Sequence, residues 1–105
     1  MTISDRDRKV LWGRAGSRCA LCRGELIRSD QIGAPGALIG QECHIVSPRN
    51  SGPRGGENPP TGEHDAYANL ILLCANDHVM VDQRPEAYPV SRLLEVRTAH
   101  ESWVR

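Results

Sequence analysis

Residues 69–82 combine a strongly apolar run with polar residues at fixed offsets. Residues 70–73 are all leucine or isoleucine, which predicts a buried strand, and residues 75–82 are predicted to form a short helix after it. The polar residues around the apolar run are Asn69, Cys74, Asp77, His78 and Asp82. Packing alone gives a buried segment no reason to carry this set of side chains, so we expect a functional or metal site here.

A chain of this size and composition needs an additional source of stability. It has 105 residues, 39% of them hydrophobic, no phenylalanine, ten glycines and seven prolines, so one small core is expected. The first residues form no apolar signal region and no apolar run could span a bilayer, which predicts a cytoplasmic protein with no membrane partner. In a reducing compartment the four cysteines are better explained as metal ligands or core residues than as disulfides.

Local signals predict an α+β fold in a single domain. Ser4 with Asp7 predicts the start of a first helix that ends near Gly16. Ser91 is the predicted cap of a last helix that reaches Val104 and carries an apolar face. This helical pattern continues to the end of the sequence, which leaves open that the domain is the N-terminal part of a longer protein.

The middle of the chain is predicted to contain a hairpin and a long loop. Residues 25–27 and 37–46 have strand character and are separated by turn residues, so we expect them to pair. Residues 47–65 hold most of the proline and glycine and are predicted to form a loop, and loops of this length are often functional.

Cys19 and Cys22 form a Cys-x2-Cys knuckle, which suits two of the four tetrahedral positions around zinc. Cys74, with Asp77 one helical turn on, offers a second half-site, so the four side chains have the layout of a structural zinc site. The fourth ligand stays open between Asp77 and His100, although an inward histidine such as His100 is more often hydrogen-bonded within a core. The alternative for Cys74 is an ordinary core residue.

His78 and Asp82 are four residues apart and therefore share one face of the predicted helix, where both can reach one cation. A histidine with a carboxylate suits Mg²⁺, Mn²⁺, Ni²⁺ or Zn²⁺, with water or substrate oxygens in the open positions. The alternative is a solvated histidine and an aspartate that ends the helix.

The same residues resemble the HNH endonuclease motif. The matching stretches are residues 42–45 (Glu-Cys-His-Ile), residues 69–74 (Asn-Leu-Ile-Leu-Leu-Cys), His78 and residues 81–82. The resemblance covers about residues 12–104. It implies a small ββα-metal domain over residues 1–105, in which a hairpin and a helix grip one catalytic ion, with a zinc knuckle and flanking N- and C-terminal helices. It further implies that His44 is the general base, that Asn69 positions it, and that His78 binds the metal.

A narrower resemblance links the chain to HNH domains of bacterial antiphage systems, which are often fused to a SAVED-type sensor of cyclic oligonucleotides. It is carried by residues 11–19, 39–40, 52–54 and 100–101.

Three residues depart from the family pattern. Cys43 replaces a His or Asp ligand, Asp77 replaces a His or Cys, and Gln41 replaces an acid. Strand alternation turns Cys43 away from the face of His44, which favours a core role for Cys43.

The chemistry that the resemblance implies is metal-assisted hydrolysis of phosphodiester bonds in DNA, with double-stranded DNA as the expected partner and weak sequence preference. Arg49, Arg54 and the basic residues of the first 28 positions are candidate phosphate contacts. The net charge is zero, however, and single exposed arginines are usually only solvated. RNA as a substrate, a homodimer and a separate regulatory sensor domain remain open.

A non-catalytic, zinc-stapled nucleic-acid-binding module is the alternative function. The three cysteines of the predicted zinc site would serve it equally well, and His78 would then be the fourth zinc ligand. Asn69 and His44 favour the nuclease, since a purely structural zinc module has no use for either of them.

Overall fold

The computed structural model describes residues 2–29 and 31–105, which form three α-helices and two small antiparallel sheets of two strands each. In chain order the elements are α1 (Asp5–Ala15), β1 (Ile27–Arg28), β2 (Ala37–Leu38), β3 (Gly40–His44), β4 (Leu70–Cys74), α2 (Ala75–Gln83) and α3 (Val90–Val104). The predicted α+β class is therefore confirmed. No helix in these described ranges combines the length and the apolar character needed to cross a membrane.

β3 and β4 form the central strand pair, and α2 follows β4 without a gap. The strands are antiparallel, with Gly40 opposite Cys74 and His44 opposite Leu70. The four apolar residues of β4 are at most 1% exposed. Aliphatic side chains stand on both faces of this strand, so each face needs a covering layer. Helices α1 and α2 both pack against β4.

The predicted pairing of residues 37–46 with residues 25–27 is only partly right. Residues 37–38 pair back onto β1, but β3 pairs with β4 instead. Burial explains the difference, because β4 is apolar and enclosed whereas both residues of β1 are exposed. The strand–strand–helix unit of this chain therefore consists of β3, β4 and α2.

The ends of α1 follow the signals in the sequence. Ser4 Oγ accepts a hydrogen bond from the Asp7 amide at 3.1 Å. Gly16 closes the helix in the left-handed conformation, with φ of 62°. α3, in contrast, begins before its predicted cap Ser91. It starts directly after Pro89, whose ring fixes φ at −69°, and no side chain caps it.

α3 is hydrogen-bonded to the turn that leads into β4. Nη1 of Arg97 donates to the backbone oxygens of Tyr67, Ala68 and Leu70 at 2.9–3.0 Å. The predicted apolar face of α3 is only partly covered. Leu93 is fully buried, whereas Trp103 is 49% exposed and lies beside the guanidinium of Arg23, 4.2 Å from the ring centre.

Candidate functional site

Four potential metal ligands meet where the knuckle contacts the start of α2. The ligand atoms of Cys19, Cys22, Cys74 and Asp77 all lie within 4.8 Å of one another. Sγ of Cys19 is 3.1 Å from Oδ2 of Asp77, and the Sγ atoms of Cys22 and Cys74 are 4.0 Å apart. This cluster could hold a metal ion, and it consists of the side chains predicted from the sequence as a zinc site.

Tight backbone geometry brings these ligands together. The Cys19 amide donates to Gly24 O at 2.9 Å, and the Arg23 amide donates to Cys19 O at 2.8 Å. Arg23 adopts the left-handed conformation, with φ of 63°, to complete this turn. Cys74 is the N-cap residue of α2, and its Sγ accepts a hydrogen bond from the Asp77 amide at 3.4 Å. The first turn of α2 thereby presents both of its ligands to the knuckle.

The chemistry of this donor set fits zinc. Burial raises the pKa of the thiols of Cys19, Cys22 and Cys74. A cation within the cluster would reverse that effect, because its charge stabilises the thiolates. Three sulfur atoms and one carboxylate oxygen supply the four donors of a tetrahedral structural site.

His100, the other candidate for the fourth position, lies outside this cluster. Its Nε2 donates to Ala15 O at 2.8 Å, and the residue is 1% exposed. Its Nδ1 is buried and has no hydrogen-bond partner among residues 2–29 and 31–105. His100 thus acts as a core histidine that joins α3 to the end of α1.

His78 and Asp82 lie one turn apart on α2 and contact each other. Nε2 of His78 is 2.9 Å from Oδ2 of Asp82. On its other side, Nδ1 of His78 contacts Oε1 of Gln41 on β3. In an octahedral site, two neighbouring ligands about 2.1 Å from the ion lie about 3.0 Å apart. The pair could therefore share one divalent cation and leave the remaining positions to water or substrate.

Cys43 belongs to the core. It is 1% exposed, and burial strongly raises the pKa of its thiol. Alternation along β3 separates it from the half-buried His44, as expected from the sequence. A neutral, enclosed thiol is a poor ligand for a hard cation.

His44, the predicted general base, contacts an acid that no motif in the sequence marks. Nε2 of His44 lies 2.7 Å from Oδ1 of Asp65. Asp65 comes from the long loop before β4. A loop has no regular spacing of apolar residues from which the direction of a side chain could be predicted. The only signals for Asp65 are the length of that loop and its position four residues before Asn69.

Asn69 is fully buried and bonds to backbone groups. Its Oδ1 accepts from the Val46 amide at 2.9 Å, and its Nδ2 donates to Val46 O at 3.0 Å and to His64 O at 2.9 Å. None of these bonds goes to His44, which Asn69 is expected to position. Asn69 instead anchors the chain just after His44 to the chain just before Asp65.

Two of the predicted catalytic side chains, His44 and His78, line one small cavity, whereas Asn69 does not. It has a volume of about 120 Å³, and its lining includes His44, His78, Asp82, Glu42 and Ser47. At roughly 30 Å³ for each molecule, such a space accommodates about four waters. A histidine of β3 and a possible cation site of α2 therefore open onto the same space.

The two predicted phosphate contacts differ in exposure. Arg54 is 7% exposed, and its guanidinium donates to Ile45 O at 2.6 Å, Val81 O at 2.9 Å and Asp82 Oδ1 at 2.9 Å. The prediction that Arg54 contacts phosphate does not fit this placement, because its donors are used within the fold. Arg49 is exposed and stays a candidate phosphate contact.

No family model matches this chain, and no curated protein matches it either. The two clusters and the cavity are therefore the observations that bear on function.

Proposed function

We propose that this chain is an HNH-type endonuclease that hydrolyses phosphodiester bonds in DNA with the help of one divalent cation. The observation that carries the proposal is the shared cavity, onto which both His44 and the His78–Asp82 pair open. The unit of β3, β4 and α2 also has the order of elements that the resemblance implies, with the base on the first strand and the metal ligands on the helix.

Within this proposal, His44 accepts a proton from the water that attacks phosphorus, which is work suited to an imidazole. His78 and Asp82 hold the cation, which when bound polarises the phosphate and stabilises charge on the leaving oxygen. Asn69 keeps the end of β3 in place through its three backbone hydrogen bonds. Exposed Arg49 is a candidate contact to the nucleic-acid backbone.

We infer that the cysteine cluster holds a structural zinc ion. Cys19 and Cys22 come from the knuckle, whereas Cys74 and Asp77 come from the junction of β4 and α2. An ion bound to all four ligands would tie the N-terminal part of the chain to the helix that carries the proposed catalytic ligands. This tie matters in a chain with a small core, because metal binding then contributes directly to folding.

Cleavage of supercoiled plasmid tests the nuclease proposal. We expect the wild type to nick or linearise the plasmid with Mg²⁺, Mn²⁺ or Ni²⁺ and to be inactive with EDTA. His44→Ala and His78→Ala should each lower the cleavage rate by at least about 100-fold. His64→Ala is the matched control, since His64 lies in the same region but not in the lining of the cavity. Full activity in His44→Ala would contradict the proposal.

The binding-module alternative makes a different prediction. In that alternative His78 completes the zinc site, whereas here Asp77 lies in the cysteine cluster and His78 contacts Asp82. This arrangement favours the nuclease. A wild-type protein that binds labelled duplex DNA but cleaves neither DNA nor RNA with any of the three metals would favour the binding module.

The proposal extends to antiphage defence, as the narrower resemblance suggests. Expression of the wild type should then reduce plaque formation, and His44→Ala should abolish the protection. Homodimer formation and control by a sensor of cyclic oligonucleotides remain predictions.

A further inference from the structure

We propose that Asp65 is a positioning residue for His44 and that it selects Nδ1 of His44 as the atom that accepts the proton. This inference rests on the proposed nuclease function. It begins from the 2.7 Å contact between His44 Nε2 and Asp65 Oδ1. Neither residue is fully buried: the side chains are 30% and 23% exposed, respectively.

The hydrogen-bonding capacity of the two side chains fixes which ring nitrogen of His44 carries the hydrogen. An ionised carboxylate can only accept hydrogen bonds, so the Nε2 of His44 must donate to Asp65. In the neutral imidazole one ring nitrogen is a donor and the other an acceptor. Nδ1 is therefore left with a free lone pair, which is what a general base needs.

The surroundings of Nδ1 agree with that assignment. Nδ1 of His44 has no hydrogen-bond partner in residues 2–29 and 31–105, and this atom is not fully buried. His44 also lines the cavity that His78 and Asp82 share. Asp65 does not line this cavity, so in this proposal Nε2 stays bound to Asp65 while Nδ1 accepts the proton from a water in the cavity.

Asn69 holds both partners of this contact in place. Its amide bonds to both backbone groups of Val46, two residues after His44, and to the oxygen of His64, directly before Asp65. In addition, the Ile45 amide donates to Asn69 O at 2.8 Å. Asn69 thus fixes the distance between the strand and the loop, and Asp65 orients the imidazole.

Asp65→Asn tests the inference with little change in shape. General-base catalysis contributes about 10²–10⁴-fold to a rate, so loss of its positioning residue should lower kcat by about 10- to 100-fold. KM should change by less than about twofold, because Asp65 contacts His44 and not the substrate in this proposal. Asp65→Glu keeps an acceptor and should recover part of the rate. Glu63→Gln is the matched control, since Glu63 is an exposed acid of the same loop.

Nitrogen-15 NMR of the imidazole supplies a second readout that does not depend on cleavage. The wild type should show the tautomer with hydrogen on Nε2 of His44. In Asp65→Asn this preference should weaken or reverse, because an amide can donate as well as accept, while the melting temperature stays within a few degrees. Unchanged kcat together with an unchanged tautomer in Asp65→Asn would overturn the inference and leave the proposed nuclease function standing. A wild type that cleaves nothing would instead overturn the proposed function and the role of Asp65 with it, whatever tautomer NMR reports.

Discussion

Nη2 of Arg54 donates to Oδ1 of Asp82 at 2.9 Å from a side chain that is only 2% exposed. The same guanidinium donates to the backbone oxygens of Ile45, Val81 and Tyr88. Arg54 therefore joins the chain after β3, the end of α2 and the turn before α3. Arg54 also donates to Oδ1 of Asp82, the proposed metal ligand, and leaves Oδ2 of Asp82 for the cation.

Arg54→Ala should lower the free energy of unfolding by about 3 kcal/mol, because three backbone oxygens and a half-buried carboxylate lose their charged donor. Urea denaturation measures this change. Arg49→Ala is the matched control and should stay within about 0.5 kcal/mol of the wild type, since Arg49 is exposed. Equal effects of the two substitutions would contradict the structural role of Arg54.

The cysteines divide into three proposed ligands and one core residue, which makes metal content a direct test. Cys19→Ser should lose bound zinc and lower the melting temperature, and a strong chelator should do the same to the wild type. Cys43→Ala should keep about one zinc per chain, although it removes a buried side chain. Zinc content is measured by mass spectrometry of the metal after gel filtration. Loss of zinc from Cys43→Ala but not from Cys19→Ser would reverse the assignment.

Tyr67 provides a prediction for alkaline pH. Burial, and then the hydrogen bond to Glu101, raises the pKa of Tyr67. Below about pH 10 the phenol is protonated in both the folded and the unfolded chain, so its contribution to stability is fully present. Above that pH the unfolded chain loses the proton first, and the free energy of unfolding should fall.

Tyr67→Phe should therefore lose less stability than the wild type between pH 9 and pH 11, measured by urea denaturation at each pH. Tyr88→Phe is the matched control, because Tyr88 packs under Arg92 and its phenol donates no hydrogen bond within the described chain. The wild type and both variants have the same cysteines, so cysteine titration changes the free energy of unfolding of all three proteins in the same way. Parallel curves for Tyr67→Phe and the wild type would count against this prediction.

Features set by neighbours in sequence were predictable. Ser4 and Gly16 mark the ends of α1 because capping depends on residues within one turn. Each half of the cysteine cluster was predictable for the same reason, since a Cys-x2-Cys knuckle and a one-turn offset on a helix each place two ligands together. The meeting of the two halves was predicted instead from the four ligands that a structural zinc site needs.

Features set by distant partners were not predictable. Residues 37–46 divide between two sheets, because β4 offers β3 a better-buried partner than β1 does. Arg54 and Asp65 lie in the long connection before β4, where no periodicity assigns a direction to a side chain. The burial of Arg54 and the contact of Asp65 with His44 exist only once the loop folds back on β3 and α2.

Asn69→Ala should weaken both the fold and the proposed site. It removes three hydrogen bonds and leaves backbone groups of the buried Val46 and the half-buried His64 unpaired, at a cost of about 2–3 kcal/mol. Asn76→Ala is the matched control on the exposed side of α2, with an expected change within about 0.5 kcal/mol. Urea denaturation of both variants gives the comparison. A fully stable Asn69→Ala that has lost activity would show that Asn69 acts on the reaction directly.

Gln41 should set the affinity of the proposed catalytic cation. Its Oε1 accepts from Nδ1 of His78, so in the metal-bound form Nε2 would bind the cation together with Oδ2 of Asp82, which lies 2.9 Å from it. Partners of this kind typically tune metal affinity by about 10- to 100-fold, so Gln41→Ala should weaken binding of Mn²⁺ by that factor. Titration followed by electron paramagnetic resonance, with the zinc site loaded beforehand, measures this affinity. Gln83→Ala, at the exposed end of α2, should bind Mn²⁺ like the wild type. If Gln41→Ala also does, the hydrogen bond from His78 to Gln41 has no part in holding the cation.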